Sequence, residues 1–346
     1  MAPTRRYFIR KTLMAVSPIF AAGCRSARIM KETPDPSEPN RATKARFEPA
    51  YLEAERSGRL KLIEEEFWQM LECCQCCPRS CGVNRLKGET GFCSSTARLK
   101  VASYGPHYGE EKPLVGRGGS GTIFFSNCNL LCCFCQNWQI NHRGDGSHIS
   151  HRDLADMMLN LERRGCHNIN FVTPTHVNPH IVKALRIAIA GGLRIPLVYN
   201  TGGYDNLGVI EKLDGIVDIY LPDFKYQSGT LAAKYSSGAA DYPEIAAGVI
   251  KEMHRQVGKL RCSEIGIAER GLIIRHLVMP HNIAGTDAFV EWVASELSRD
   301  TYVNIMAQYH PEHKAYEYPD IARAITPAEW RQALSWAKDA GLTNLD

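Results

Sequence analysis

The eight residues Cys128-Asn-Leu-Leu-Cys132-Cys133-Phe134-Cys135 constrain this chain more than any other stretch. Read as C-x3-C-x2-C, they offer Cys128, Cys132 and Cys135 as a three-thiolate set. Soft sulfur ligands select iron–sulfur clusters or zinc over hard cations. A structural zinc ion normally takes four ligands. A four-iron cubane held by three thiolates keeps one iron open to chelate a small molecule, which shifts the site from electron storage toward catalysis. The run Gly121–Ser126 just before it, β-branched and aromatic and opened by glycine, reads as a strand. The cysteines therefore leave the C-terminal end of a strand, the rim that carries the active site in α/β barrels.

Further strand-like runs follow at Asn168–Val172, Pro196–Asn200, Val217–Leu221, Gly271–Val278 and Tyr302–Ala307. Helical signals alternate with them. Ser150 caps a helix reaching about Arg164, Asn178 with Pro179 opens one to Ala190, and Thr326-Pro-Ala-Glu329 is a capping box with proline inside. Six strands with helical crossovers predict a parallel sheet in an α/β fold. Upstream, Leu60, Ile63, Phe67, Met70 and Leu71 recur at helical spacing and predict a helix within Glu48–Leu71 that packs on the sheet.

The C-x3-C-x-Φ-C pattern, with aromatic Phe134 before the last cysteine, resembles the signature of the radical S-adenosylmethionine (radical SAM) superfamily. From about residue 50 onward the chain looks like the uncharacterised branch close to pyruvate formate-lyase activating enzyme. The resemblance implies an open (β/α)6 partial barrel over 101–346, preceded by a cysteine-rich extension over 49–100. It implies a 4Fe-4S cluster on Cys128, Cys132 and Cys135, with SAM bound across the strand ends. The expected reaction is reductive cleavage of SAM and hydrogen abstraction, from a partner protein's glycine if the chain is activase-like. It also implies an electron donor of the flavodoxin or ferredoxin type.

The same resemblance assigns the SAM contacts. The Gly-Gly-Glu that often follows the second strand is replaced by Thr173-Pro-Thr-His176, so Thr173, Thr175 or His176 must hold the amino group. Asn200-Thr-Gly202-Gly-Tyr204 resembles the activases' Asp-Thr-Asn-Gly turn, and Asp223-Phe-Lys225 their Asp-Leu-Lys. Arg275 resembles the arginine of their Ile-Arg-Tyr segment, a bidentate carboxylate partner. Gln308, Tyr309 and His310 close the sixth strand. Bland alternatives stand beside these: an ordinary Asp223–Lys225 ion pair and a structural Arg275.

A second group lies upstream. Cys74, Cys77, Cys81 and Cys93 form C-x2-C-x3-C-x11-C among glycines, with Cys73 and Cys76 as extras. Four thiolates suit a closed site, and spacing does not separate zinc from a second iron–sulfur cluster. Such short spacings favour metal over a disulfide framework. Isolated Cys166 and Cys262 read as buried small hydrophobes.

The formal net charge is +4, and Arg5, Arg6, Arg10 and Lys11 carry that excess. The remainder is neutral, which excludes a nucleic-acid-binding field. The paired arginines precede an apolar run over 12–23 and resemble a twin-arginine signal, the export route for proteins folded around a cofactor. Ala21-Ala-Gly-Cys24 resembles a lipoprotein cleavage site, so 1–24 reads as a signal with Cys24 lipidated, and the proline-rich stretch over 25–48 as a linker. Periplasmic or membrane-anchored localisation follows. Cytoplasmic residence is the alternative, because SAM is a cytoplasmic metabolite. Rival functions are an exported electron-transfer protein and a zinc-stabilised binding module.

Overall fold

The computed structural model describes residues 47–346. The expected signal, the lipidated Cys24 and nearly all of the linker lie outside the described residues.

The strands are β1 Lys100–His107, β2 Ser120–Phe125, β3 Ser147–His148, β4 Ile169–Val172, β5 Leu197–Thr201, β6 Ile219–Pro222, β7 Arg261–Cys262, β8 Ala268–Leu277 and β9 Tyr302–Met306. β2, β4, β5, β6, β8 and β9 pair in parallel in that order and are the six strands expected from the sequence. β9 pairs β8 and not β2, so the sheet stays open, a partial barrel in the α/β class.

The helices are α1 Tyr51–Arg56, α2 Arg59–Gln69, α3 Lys112–Val115, α4 Trp138–Asn141, α5 His151–Arg163, α6 Asn178–Ala190, α7 Leu207–Lys212, α8 Gly229–Tyr235, α9 Tyr242–Val257, α10 Thr286–Glu296 and α11 Pro327–Asp339. Ser150 and Thr326 both close capping boxes, with Asp153 and Glu329 as their partners. The helix expected over Glu48–Leu71 is two helices. Gly58, left-handed at φ +78°, breaks it and starts α2, whose Leu60, Ile63 and Phe67 are buried. Asn178 is not the cap of α6: that helix follows Val177, and the Asn178 amide donates to Thr175 O and Tyr199 Oη. Among the described residues no helix is long and apolar enough to cross a membrane.

The largest difference from the sequence reading lies at the sheet edge. β1 pairs antiparallel with β2, and the connection between them carries α3. Leu114 of α3 is fully buried with Val198, Ile219, Leu221 and Ile273, residues of β5, β6 and β8. It plugs the barrel interior at one level. Two residues further along each strand the inward positions turn polar: Asn200, Asp223 and Arg275. Alternation along a strand makes these layers. The apolar plug floors the polar layer above it.

Candidate active site

The loop after β2 brings the cysteines to the barrel mouth. Cys128, Cys132 and Cys135 line one cleft with Phe134, Thr173, Asn200, Gly202, Asp223, Lys225 and Arg275. Burial pushes the Cys128 thiol up to about 12, with the Cys132 and Cys135 sulfurs adding to it. Burial likewise pushes Cys135 up to about 11 and raises Cys132. The chain alone therefore disfavours three thiolates here, and bound cations would relieve that.

Each sulfur nevertheless has its own donor. Leu130 N–H points at Cys128 Sγ (3.4 Å), Ser236 Oγ at Cys132 Sγ (3.0 Å) and Asn141 Nδ2 at Cys135 Sγ (3.3 Å). Hydrogen bonds to sulfur stabilise thiolate ligands and tune cluster potentials. This donor set fits a cluster. Among the described residues no three His, Cys, Asp or Glu side chains converge as ligands of a single ion. Cluster ligands are held apart by separate irons and need no such convergence. Cys133 does not line the cleft; its N–H bonds Tyr235 O (2.8 Å).

Behind the cysteines lies a charge network. Arg275 Nε donates to Asp223 Oδ1 (2.8 Å), Arg275 Nη2 to Asn200 Oδ1 (2.6 Å), and Lys225 Nζ to Asp223 Oδ2 (2.6 Å). Burial would raise Asp223, but Arg275 and then Lys225 outweigh it and hold the carboxyl below its usual value. Burial would lower Lys225, and Asp223 reverses that. From the plug side Glu110 Oε2 lies 3.6 Å from Arg275 Nη1, its own carboxyl raised by burial. One carboxylate thus bridges two cations at the mouth.

Gly202 lets two loops meet, since a Cβ there would sit 2.9 Å from Leu130 Cδ1. Thr173 lines the cleft at φ +60° and donates its N–H to Asn200 O. Phe134 packs edge-on against Tyr226 and Tyr309. Gln308 and Tyr309 line the cleft, whereas His310 does not.

His176 is placed elsewhere. It is buried with Nε2 against Ser126 O (2.8 Å) and does not line the cleft. Thr175 also turns away: its Oγ1 donates to Asp205 Oδ1 (2.6 Å). β4 ends at Val172, and Thr173 in the left-handed region (φ +60°) turns the chain, so the residues after it leave the strand's direction. Of the three residues expected at the SAM amino group, the structure brings only Thr173 to the cleft lining.

The upstream cysteines abut this loop. Cys74 and Cys76 are buried with Leu71, and the Arg85 guanidinium lies 3.8 Å from Cys76 Sγ. Cys77 is buried beside the Asn129 amide, and Cys81 Sγ accepts from Phe92 N–H (3.3 Å). Cys93 is half-buried, and every described cysteine is a free thiol; Cys166 is buried as expected, but Cys262, on the short edge strand β7, is exposed. Arg79 ties the two segments together: Nε donates to Asn129 O (3.0 Å) while its guanidinium lies over the Phe92 ring.

Sequence reasoning missed Ser236, Asn141 and Asp205. Asp205 accepts from Thr175, Tyr199 and Thr201 and so fixes the turn that carries Gly202. Only its position four residues after Thr201 hinted at that role.

Residues 122–225, which span the cysteine loop and the Asp223–Lys225 pair, match the Radical SAM superfamily model. Over 303 residues the chain is 34% identical to the uncharacterized protein MJ0674 of Methanocaldococcus jannaschii, covering 84% of this chain and 82% of that protein. The chain belongs to the family of that protein and carries a radical SAM superfamily domain. Among solved structures, a domain of pyruvate-formate lyase-activating enzyme from Bacteroides vulgatus aligns at 12% identity and a TM-score of 0.33, covering 57% of this chain and 89% of its own. Methylornithine synthase (PylB) aligns at 12% identity and a TM-score of 0.42, covering 65% and 69%.

Proposed function

We propose that this protein is a radical SAM enzyme in which Cys128, Cys132 and Cys135 hold a 4Fe-4S cluster. The observation that carries the reading is the set of three thiols on one rim loop, each with its own hydrogen-bond donor, facing the Asp223–Lys225–Arg275 network. When bound, the cluster and SAM supply reductive cleavage to a 5′-deoxyadenosyl radical that abstracts hydrogen. The chain's own contribution is to bind and orient. Asn200, Lys225 and Arg275 would hold the polar amino acid end of SAM, and Phe134 and Tyr309 line the same cleft. Gln136 and Gln308 leave the rim exposed, which suits a substrate presented by another macromolecule.

The finer reading is an activase-like reaction on a protein glycine, with electrons from a flavodoxin- or ferredoxin-type donor. Cys74, Cys77, Cys81 and Cys93 would hold zinc or a second cluster beside Asn129. The arginine pair at 5–6 would direct export, with Cys24 as a lipid anchor.

The test is anaerobic reconstitution of the full chain with iron and sulfide, dithionite reduction and SAM addition. A SAM-dependent change in the electron paramagnetic resonance spectrum together with 5′-deoxyadenosine supports the reading. Bound iron that neither senses nor cleaves SAM would replace it with electron transfer.

A further inference from the structure

On the far side of the cysteine loop lies a second pocket of about 210 Å³ that shares no lining residue with the cleft. Its walls come from Arg85, Arg98, Lys100, Asn127 and His176, and no carboxylate lines it. Among the described residues neither Arg85, Arg98 nor Lys100 has a carboxylate partner: Arg85 donates to Thr96 O and His176 O and lies 3.8 Å from Cys76 Sγ, and Lys100 donates to Gly144 O. Arg85 is 2% exposed. A buried guanidinium held only by carbonyls and a thiol, with no carboxylate, is costly, and a bound anion would supply the missing charge. Arg143 at the rim is already paired with Asp145.

A second observation points the same way. His176 is 1% exposed, and its Nδ1 has no partner. Its Nε2 faces the Ser126 carbonyl, which only accepts, so Nε2 carries the proton and Nδ1 is a bare acceptor. Burial, then Arg85, keeps this ring neutral. The pocket thus combines cations that have no carboxylate partner with one buried acceptor.

We propose that this pocket binds a small oxyanion that retains one O–H, of the monohydrogen phosphate type. The cations take the charged oxygens and His176 Nδ1 accepts the O–H. Sulfate matches the charge but lacks the hydrogen, so it leaves His176 facing an oxygen lone pair. A phosphomonoester is mostly dianionic without an O–H above its second pKa near 6, and it meets the same obstacle. Asn127 joins this pocket to the cysteine loop, and it is hydrogen-bonded to Ser95 (2.8 Å), two residues after Cys93. Occupancy would brace the two cysteine segments against each other.

The test is calorimetric titration of the full chain at pH 7.5 and fixed ionic strength with inorganic phosphate, sulfate and glycerol phosphate. The expected result is saturable one-to-one phosphate binding, at least tenfold tighter than either other anion. Arg98 is exposed, so its replacement does not threaten folding. Arg98→Ala should weaken phosphate at least tenfold, Arg98→Lys should restore most of it, and Lys338→Ala on α11 should change nothing. Equal binding of sulfate, or phosphate affinity unchanged in Arg98→Ala and Lys100→Gln, would overturn the proposal. None of these readouts depends on iron or SAM turnover, so the pocket and the radical SAM reading fail separately.

Discussion

Ser236 Oγ donates to Cys132 Sγ at 3.0 Å across 104 residues of sequence. The serine closes the turn after α8, and its hydroxyl also meets Tyr226 Oη at 3.0 Å. A hydrogen bond to a ligating sulfur stabilises the reduced, more negative cluster. One such bond is worth about 0.5–1.5 kcal/mol net. Ser236→Ala should therefore lower the potential of the cluster by roughly 20–60 mV for one electron. An anaerobic redox titration followed by electron paramagnetic resonance would measure it. An unchanged potential would mean that the serine only packs.

Asp223 neutralises Lys225 and Arg275 in a place where the three side chains are under one fifth exposed. Asp223→Asn leaves two cations with one weak partner, Glu110. The expected loss is about 3 kcal/mol of stability at neutral pH, read from urea unfolding. The pH dependence follows from the sign of the shift. The folded carboxyl lies below its unfolded value near 3.9, so its contribution is complete above that value and is lost as pH falls through the folded one. The gap between wild type and Asp223→Asn should close as pH drops below about 4. A gap independent of pH would point to packing instead of charge.

Leu114 is fully buried in the barrel plug. Leu114→Ala should cost about 2–5 kcal/mol and loosen the floor beneath Arg275. Thermal unfolding would register it, with SAM turnover falling further than stability alone accounts for at a temperature where the variant stays folded.

Cys133 does not line the cleft. Cys133→Ala should keep the iron content of the wild type after reconstitution. Loss of iron in that variant would mean that the ligand register is shifted by one residue.

The six parallel strands were legible because each is a short β-branched run buried on both faces, such as Ile169–Val172 with its burial of Ile169, Asn170 and Phe171. β1 was not. Gly105 and Pro106 interrupt it, and proline is tolerated only on a strand with an unpaired edge. The Cys128–Cys135 loop was legible from spacing alone. Its donors were not, since Ser236 and Asn141 are ordinary polar residues until the chain folds. Thr173 and His176 show the other limit: sequence puts both at one strand end, and only the backbone decides that one faces the cleft and the other Ser126.

The central claim rests on three thiols as ligands of a SAM-cleaving cluster. The most direct measurement compares full-length wild type with Cys132→Ala after identical anaerobic reconstitution, counting iron per chain and 5′-deoxyadenosine formed with dithionite and SAM. The account predicts 5′-deoxyadenosine from wild type, and from Cys132→Ala reduced iron with no detectable product. Full iron content and undiminished SAM cleavage in Cys132→Ala would contradict it.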